Sequence, residues 1–100
     1  MKESDFSTEL ICLAKIYEYN YVRYKPIWYG RLWRCVKGKM KQGAMDRALL
    51  KMADLGMIDS EWGKVDNKWT RKFTVSSECK DFAKKVYRRI KECKNEHRRS

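Results

Sequence analysis

Between Gln42 and Ser76 the apolar positions change from a helical period to a strand period and back, and this run constrains the fold more than any other part of the chain. Met45, Ala48, Leu49, Met52 and Ala53 recur at spacings of 3, 4, 7 and 8, which puts them on one helical face and leaves Arg47, Leu50 and Lys51 outside. Gly56 is placed to end that helix in the left-handed conformation, and Met57-Ile58 re-enters the core as the start of a strand. Ile58 to Trp62 and Trp69 to Val75 alternate at strand period, with Gly63 to Lys68 as a polar, basic connection between them. Ser76-Ser77-Glu78 then offers an N-cap with an acid in the first turn of another helix. The spacing predicts a helix over 43–55, a hairpin over 57–75 and a last helix over 77–97.

Upstream, Ser4 to Ser7 supply capping candidates, and Leu10, Leu13, Ala14, Tyr17 and Tyr21 repeat at helical spacing, predicting a first helix over 7–20. Tyr21 to Lys25 suits a short extended piece. Pro26 disfavours helical geometry at Lys25 but suits a first helical turn itself, so a second helix is predicted over 26–36. Lys37 to Gly43, with two glycines and three lysines, reads as the turn before the next helix. A chain of 100 residues makes one domain, 1–100, with one modest core. The expected class is mainly α with a small β-hairpin: a winged helix-turn-helix with an extended C-terminal helix. Along that last helix Cys79, Ala83, Val86, Ile90, Cys93 and His97 fall alternately four and three residues apart, and Phe82 and Tyr87 widen the stripe. Two readings follow: the helix caps its own core, or its C-terminal half meets the same helix of a second copy. The second makes Ala83, Val86, Tyr87, Ile90 and Cys93 candidate homodimer-interface positions.

The formal net charge is +11, which makes an anionic polymer or surface the expected partner, nucleic acid first. From Tyr19 to Met45 there is no acidic residue, while Arg23, Lys25, Arg31, Arg34, Lys37, Lys39 and Lys41 all fall within the stretch. Tyr19, Tyr21, Tyr24, Trp28, Tyr29 and Trp33 are interleaved with these cations. Stacking on unpaired bases is one use for them. Filling the core of a small domain poor in Phe is the favoured one.

Gly43 to Ile58, running into Asp59-Ser60-Glu61-Trp62, resembles the corresponding helix and first strand of PadR-type winged-helix transcriptional regulators, and Arg71 to Ser76 resembles their basic-aromatic second wing strand. Pro26 to Gly30 is similar to the Pro and Gly that flank their second helix. The resemblance covers about half the chain and extends to neighbouring groups, MarR-like and small archaeal or viral winged-helix regulators. Asp46 stands where PadR-type proteins usually carry an aromatic residue, and Cys79 where a glycine commonly opens their last helix.

The resemblance implies that the third helix enters the major groove of double-stranded DNA with its N-terminal end, where Lys41, Gln42, Ala44, Asp46, Arg47 and Lys51 are the candidate contacts. Gln42 can pair bidentately with adenine and Arg47 with guanine. The bland alternative for Arg47 is an ion pair with Asp46 or Asp54. Asp46 could accept from a cytosine amino group, although a carboxylate near phosphates is more often a penalty. Lys64, Lys68, Arg71 and Lys72 on or beside the wing, with Arg31, Arg34 and Lys37 on or after the second helix, suit the phosphate backbone, where contacts position without specifying. The function expected is a homodimeric, sequence-specific regulator, a repressor that occludes a promoter. The alternatives are an RNA-binding or non-specific nucleic-acid-coating protein, and a protein-interaction module whose charge serves solubility.

Other classes have little support. Cys12, Cys35, Cys79 and Cys93 are irregularly spaced with only His97 as a further ligand type, so neither a zinc site nor another cofactor is expected, and buried free thiols are the default. No catalytic Cys-His or Ser-His-Asp arrangement and no phosphate-binding glycine loop is suggested, so the chain is not expected to be an enzyme. Trp62 and Trp69 flank the wing connection and suit packing on each other across the hairpin, or one wall of a pocket for an effector whose identity is unknown. No apolar run approaches the ~20 residues that cross a bilayer, and the opening residues are no secretory leader. An intracellular setting is expected, in the cytoplasm or on the nucleoid, or in the cytoplasm of a viral host.

Overall fold

A computed structural model describes residues 6–99, with side chains through Cys93. Ser4 and the side chain of His97 lie outside the described residues. The order is α1 (Thr8–Tyr17), a π-helical turn (Glu18–Val22), β1 (Ile27–Trp28), α2 (Tyr29–Val36), α3 (Gln42–Asp54), β2 (Ile58–Val65), β3 (Lys68–Val75), a 3-10 turn (Ser77–Cys79) and α4 (Lys80–Arg99). Among these helices none is long and apolar enough to cross a membrane.

α1 begins at Ser7, whose Oγ accepts from the Leu10 N–H at 3.2 Å. Ile11, Cys12, Leu13, Ala14, Ile16 and Tyr17 are all buried, so the helix is covered on almost every side rather than along one stripe. The cause is position: α2, α3, α4 and β3 all pack against it. Burial pushes the Cys12 thiol up to about 12, helped by the Glu9 carboxylate, and its Sγ meets the Met40 Sδ at 3.8 Å.

An extended piece is expected over Tyr21–Lys25, but the helix continues by widening into the π turn. The Arg23 N–H reaches the Glu18 carbonyl at 3.0 Å, one residue beyond the α spacing. Tyr19 holds this geometry from inside, with Arg23 and Lys25 over its ring at 4.7 and 5.6 Å. Tyr24 ends the turn at φ 59°. Asn20 then ties the segment to the sheet, donating to the Lys25 carbonyl at 3.1 Å and accepting from the Val75 N–H at 2.7 Å.

The second helix does not start at Pro26. Ile27 and Trp28 pair antiparallel with Phe73 and Lys72, making the sheet three-stranded in the order β1-β3-β2, and α2 begins only at Tyr29. The open edge of β3 supplies hydrogen bonds that a first helical turn would leave to solvent, and Ile27 is driven inward with them. α3 buries Met45, Ala48, Leu49 and Met52, with Ala53 half-buried and Arg47, Leu50 and Lys51 exposed. Gly56, at φ 74°, closes it, and the Met57 N–H returns to the Met52 carbonyl at 2.9 Å.

The wing strands are longer than their alternation suggests. Pairing runs from Ile58↔Val75 out to Val65↔Lys68, so the connection is not Gly63 to Lys68 but the two residues Asp66-Asn67, both left-handed at φ 51° and 65°. Two positive φ values in a two-residue loop make the turn whose twist matches a hairpin, and Asp and Asn accept that conformation more readily than most side chains.

The described part of the α4 seam, as far as Cys93, packs mostly within the chain. Ala83, Val86, Ile90 and Cys93 are buried, Val86 and Ile90 cluster with Ala14 with Phe6, Leu10 and Tyr87 packed around them, and the Tyr87 ring stacks on Tyr17 at 5.4 Å. Of the expected interface positions, Ala83, Val86, Ile90 and Cys93 are thus buried within one chain and Tyr87 is half-buried. The apolar stripe finds its partner in α1 of the same chain, which lies along α4.

Candidate nucleic-acid interface

Tyr29, the first residue of α2, organises the start of α3. Its hydroxyl donates to Asp46 Oδ1 at 2.6 Å and accepts from Gln42 Nε2 at 2.9 Å. Gln42 and Asp46 are four apart and so share one helical face, which a single hydroxyl can bridge. Burial first, then the bond to the Asp46 carboxylate, raises the Tyr29 phenol above its ordinary value; Gln42's donation and Arg71's charge pull the other way. The proton that donates to Asp46 is thus fully present at neutral pH, and the bond is lost only as pH rises through the raised value.

Arg47 is exposed, and its guanidinium turns back along α3 to within 3.5 Å of where a Cβ on Gly43 would stand. Among the described residues the ion pairs are Lys15–Glu18, Arg23–Glu18 and Lys72–Glu61, so neither Asp46 nor Asp54 holds Arg47. Lys41 is the N-cap of α3 and is exposed; Ala44 is half-buried. Lys51 lies toward the other end of the helix, where its charge helps hold the Glu9 carboxyl below its ordinary value, after the hydrogen bond from Glu9's own backbone. Arg31 and Arg34 are exposed on α2 and Lys37 is its C-cap. Arg31 acts on Tyr19, which places it toward the π turn.

On the wing, strand alternation sorts the cations onto two faces. Ile27, Ile58, Phe73 and Val75 form the core face, and the register continues it outward as the facing pairs Trp62↔Arg71 and Lys64↔Trp69. The Arg71 guanidinium lies 5.6 Å from the Phe73 ring centre and 5.7 Å from that of Trp62, and the Lys64 ammonium lies 5.1 Å from Trp69. The expected packing of Trp62 on Trp69 does not occur. Each is instead covered by a cation from the opposite strand, because the two-residue turn sets the indoles diagonally. Lys72 and Lys68 belong to the other face; Lys72 meets Glu61 at 3.6 Å and lies 5.7 Å from the Trp28 ring, which rests on the backbone of Gly63.

Trp28 pairs with Lys72, which sets Tyr29 beside Arg71, and Tyr29 is bonded to Gln42 and Asp46, so the inner part of the wing's core-side face lies near the first turn of α3. Lys41, Gln42, Arg47 and Arg71 belong to this region; Lys64 lies further out on the same wing face, and Lys68 and Lys72 lie on the other face. In the sequence Tyr29 is only one of several aromatics among cations. Nothing in the spacing of Tyr29, Gln42 and Asp46 announces their contact, since it depends on how α2 crosses α3. Replacing Tyr29 by Phe removes both bonds, freeing Gln42 and unmasking the Asp46 carboxylate; the unfolding free energy should fall by ~1 kcal/mol, since both bonds are exposed. An unchanged midpoint of urea unfolding would refute the tether.

Three helices about a helix-turn-helix, followed by a hairpin wing and a further helix, define the winged-helix fold. The chain is similar in structure to the crystal structure of SSV1 F-93, at TM-score 0.72 and 18% identity over 90% of this chain and 92% of that one. It is also similar to the circadian clock associated protein Pex from Anabaena, at TM-score 0.67 and 15% identity over 87% and 79% of the two chains. No protein-family model matches the chain, and no curated protein matches it in sequence.

Proposed function

We propose that this chain is a sequence-specific regulator of transcription that binds double-stranded DNA. The observation that carries the reading is the proximity, around Tyr29, of an exposed α3 N-terminal turn and Arg71 on the core-side face of the wing. α3 is sized and exposed to enter a major groove by its N-terminal end, where Arg47 reads guanine and Gln42, one amide hydrogen of which remains beyond the bond to Tyr29, reads adenine. Lys41, Lys64 and Arg71, flanked by Arg34, Lys37, Lys51, Lys68 and Lys72, bind phosphates and fix the register.

Within this reading the regulator represses by covering a promoter, and it does so as a homodimer. Membership of the PadR-type group rests on sequence resemblance over Gly43 to Trp62 and Arg71 to Ser76, with Pro26 to Gly30 beside them. Selection of bound duplexes from a random pool tests the reading. A recurring motif is expected, and a palindrome with half-sites about 10 base pairs apart reports two copies bound. Failure to enrich any motif, or equal competition by single-stranded RNA, would leave a general nucleic-acid binder in its place.

A further inference from the structure

We propose that Trp62 and Trp69 form a stacking face on the wing that opens a base step of the bound duplex and kinks it. The proposal rests on the DNA-binding reading above and assigns the wing a role beyond phosphate contact. Both indoles stand on the core-side face of the hairpin, but past the body that buries Phe73, and they are 66% and 65% exposed. They sit diagonally on the same face, one on each strand, each beside a cation of the opposite strand.

The cations decide what that surface suits. Lys64 lies over Trp69 and Arg71 over Trp62, at 5.1 and 5.7 Å from the ring centres. An apolar protein surface closing on the indoles would strip water from both charges and give nothing back. A nucleic acid offers a base to stack on and a phosphate beside it, satisfying ring and cation together. The duplex is favoured over a single strand by placement: the register that pairs Trp28 with Lys72 sets Arg71 beside Tyr29, which is bonded to the first turn of α3, so with α3 in a major groove the wing lies against the same double helix. In a stacked duplex the flat face of a base is reachable only where a step is prised apart. Apolar side chains inserted in this way kink DNA by about 20–90°. Pyrimidine–purine steps open most easily, so such a step belongs under the wing. The hairpin is suited to the load, since a two-residue turn with both residues left-handed closes a fully paired ribbon.

The test uses the full chain with an end-labelled duplex carrying 2-aminopurine beside a central TA step. Binding, the end-to-end distance by energy transfer, and 2-aminopurine fluorescence are read together. The wild type should shorten the end-to-end distance and raise the fluorescence as the step unstacks. Trp62→Ala/Trp69→Ala, folded as judged by circular dichroism because both side chains are exposed, should bind about tenfold more weakly or worse and leave the duplex straight. Wild-type binding to a straight duplex with unchanged fluorescence, or a double variant that bends DNA as the wild type does, overturns the wedge and leaves the DNA-binding reading standing. No binding to any duplex overturns both. Tryptophan-dependent binding confined to single strands also overturns the wedge.

Discussion

Raising salt from 50 to 200 mM should weaken duplex binding by about 10³–10⁵, the largest change expected of any simple perturbation. Each phosphate neutralised by Lys or Arg releases condensed counterions, and that release loses its entropic advantage as bulk salt rises. The slope therefore counts contacts. The chain carries a net charge of +11, and α3, the wing and α2 together expose enough cations for roughly six to ten contacts by a pair of bound copies, each contact adding about −0.9 to the slope of log affinity against log salt. Exposed charges are the ones such a mechanism needs, because they are hydrated and mobile until DNA arrives. Removing a phosphate-binding cation should lower the slope by about one, with little effect on which sequence is preferred; Lys68→Ala is suitable, since Lys68 is exposed and adjoins the wing turn. Replacing Arg47 should instead flatten the discrimination between sequences. A titration across the salt series measures both. A flat response would mean that the positive charge serves solubility and that the wing and α3 do not jointly meet a polyanion.

How far this arrangement is legible in the sequence depends on how local its causes are. α3 is legible because its burial follows a period set by the helix itself, and its end because only a residue at ease with positive φ can stand at Gly56. β1 is not, since a strand of two residues exists only by virtue of an edge offered by Phe73 and Lys72, far along the chain. The heptad spacing of α4 announces an apolar stripe but cannot say which helix covers it, and α1 of the same chain does. The candidate site divides in the same way. Exposure of Arg47 and Lys51 follows from helical geometry, whereas the tie from Tyr29 to Gln42 and Asp46 comes from the crossing of two helices. Asp66-Asn67 lies in between: two residues tolerant of left-handed backbone stand between alternating strands, and a turn confined to them leads directly to the facing of Trp62 with Arg71 and Lys64 with Trp69.

Truncating Phe73 to Ala should destabilise the fold by about 3–5 kcal/mol, the range for deleting a fully buried aromatic ring. Phe73 is 1% exposed and stands where the sheet joins the helices, paired with Ile27 on one side and Ser60 on the other. Its ring packs in the same core as Leu13, Ile16, Leu32 and Leu49, and it also carries the Arg71 guanidinium. The loss therefore has two parts, the transfer of the ring to water in the unfolded chain and a cavity that elements from both ends of the sequence cannot readily close. A domain of this size is stable by only about 5–15 kcal/mol, so a large share of the folded state's margin would disappear. Urea unfolding followed by circular dichroism should show the midpoint falling with the slope little changed, since the area exposed on unfolding is nearly the same. Trp69→Ala is the internal comparison: equally aromatic and on the same face, but outside the body, it should shift the midpoint far less. Equal losses at the two positions would mean that the wing's outer half is buried in solution, and with it the surface through which the wing is argued to meet DNA.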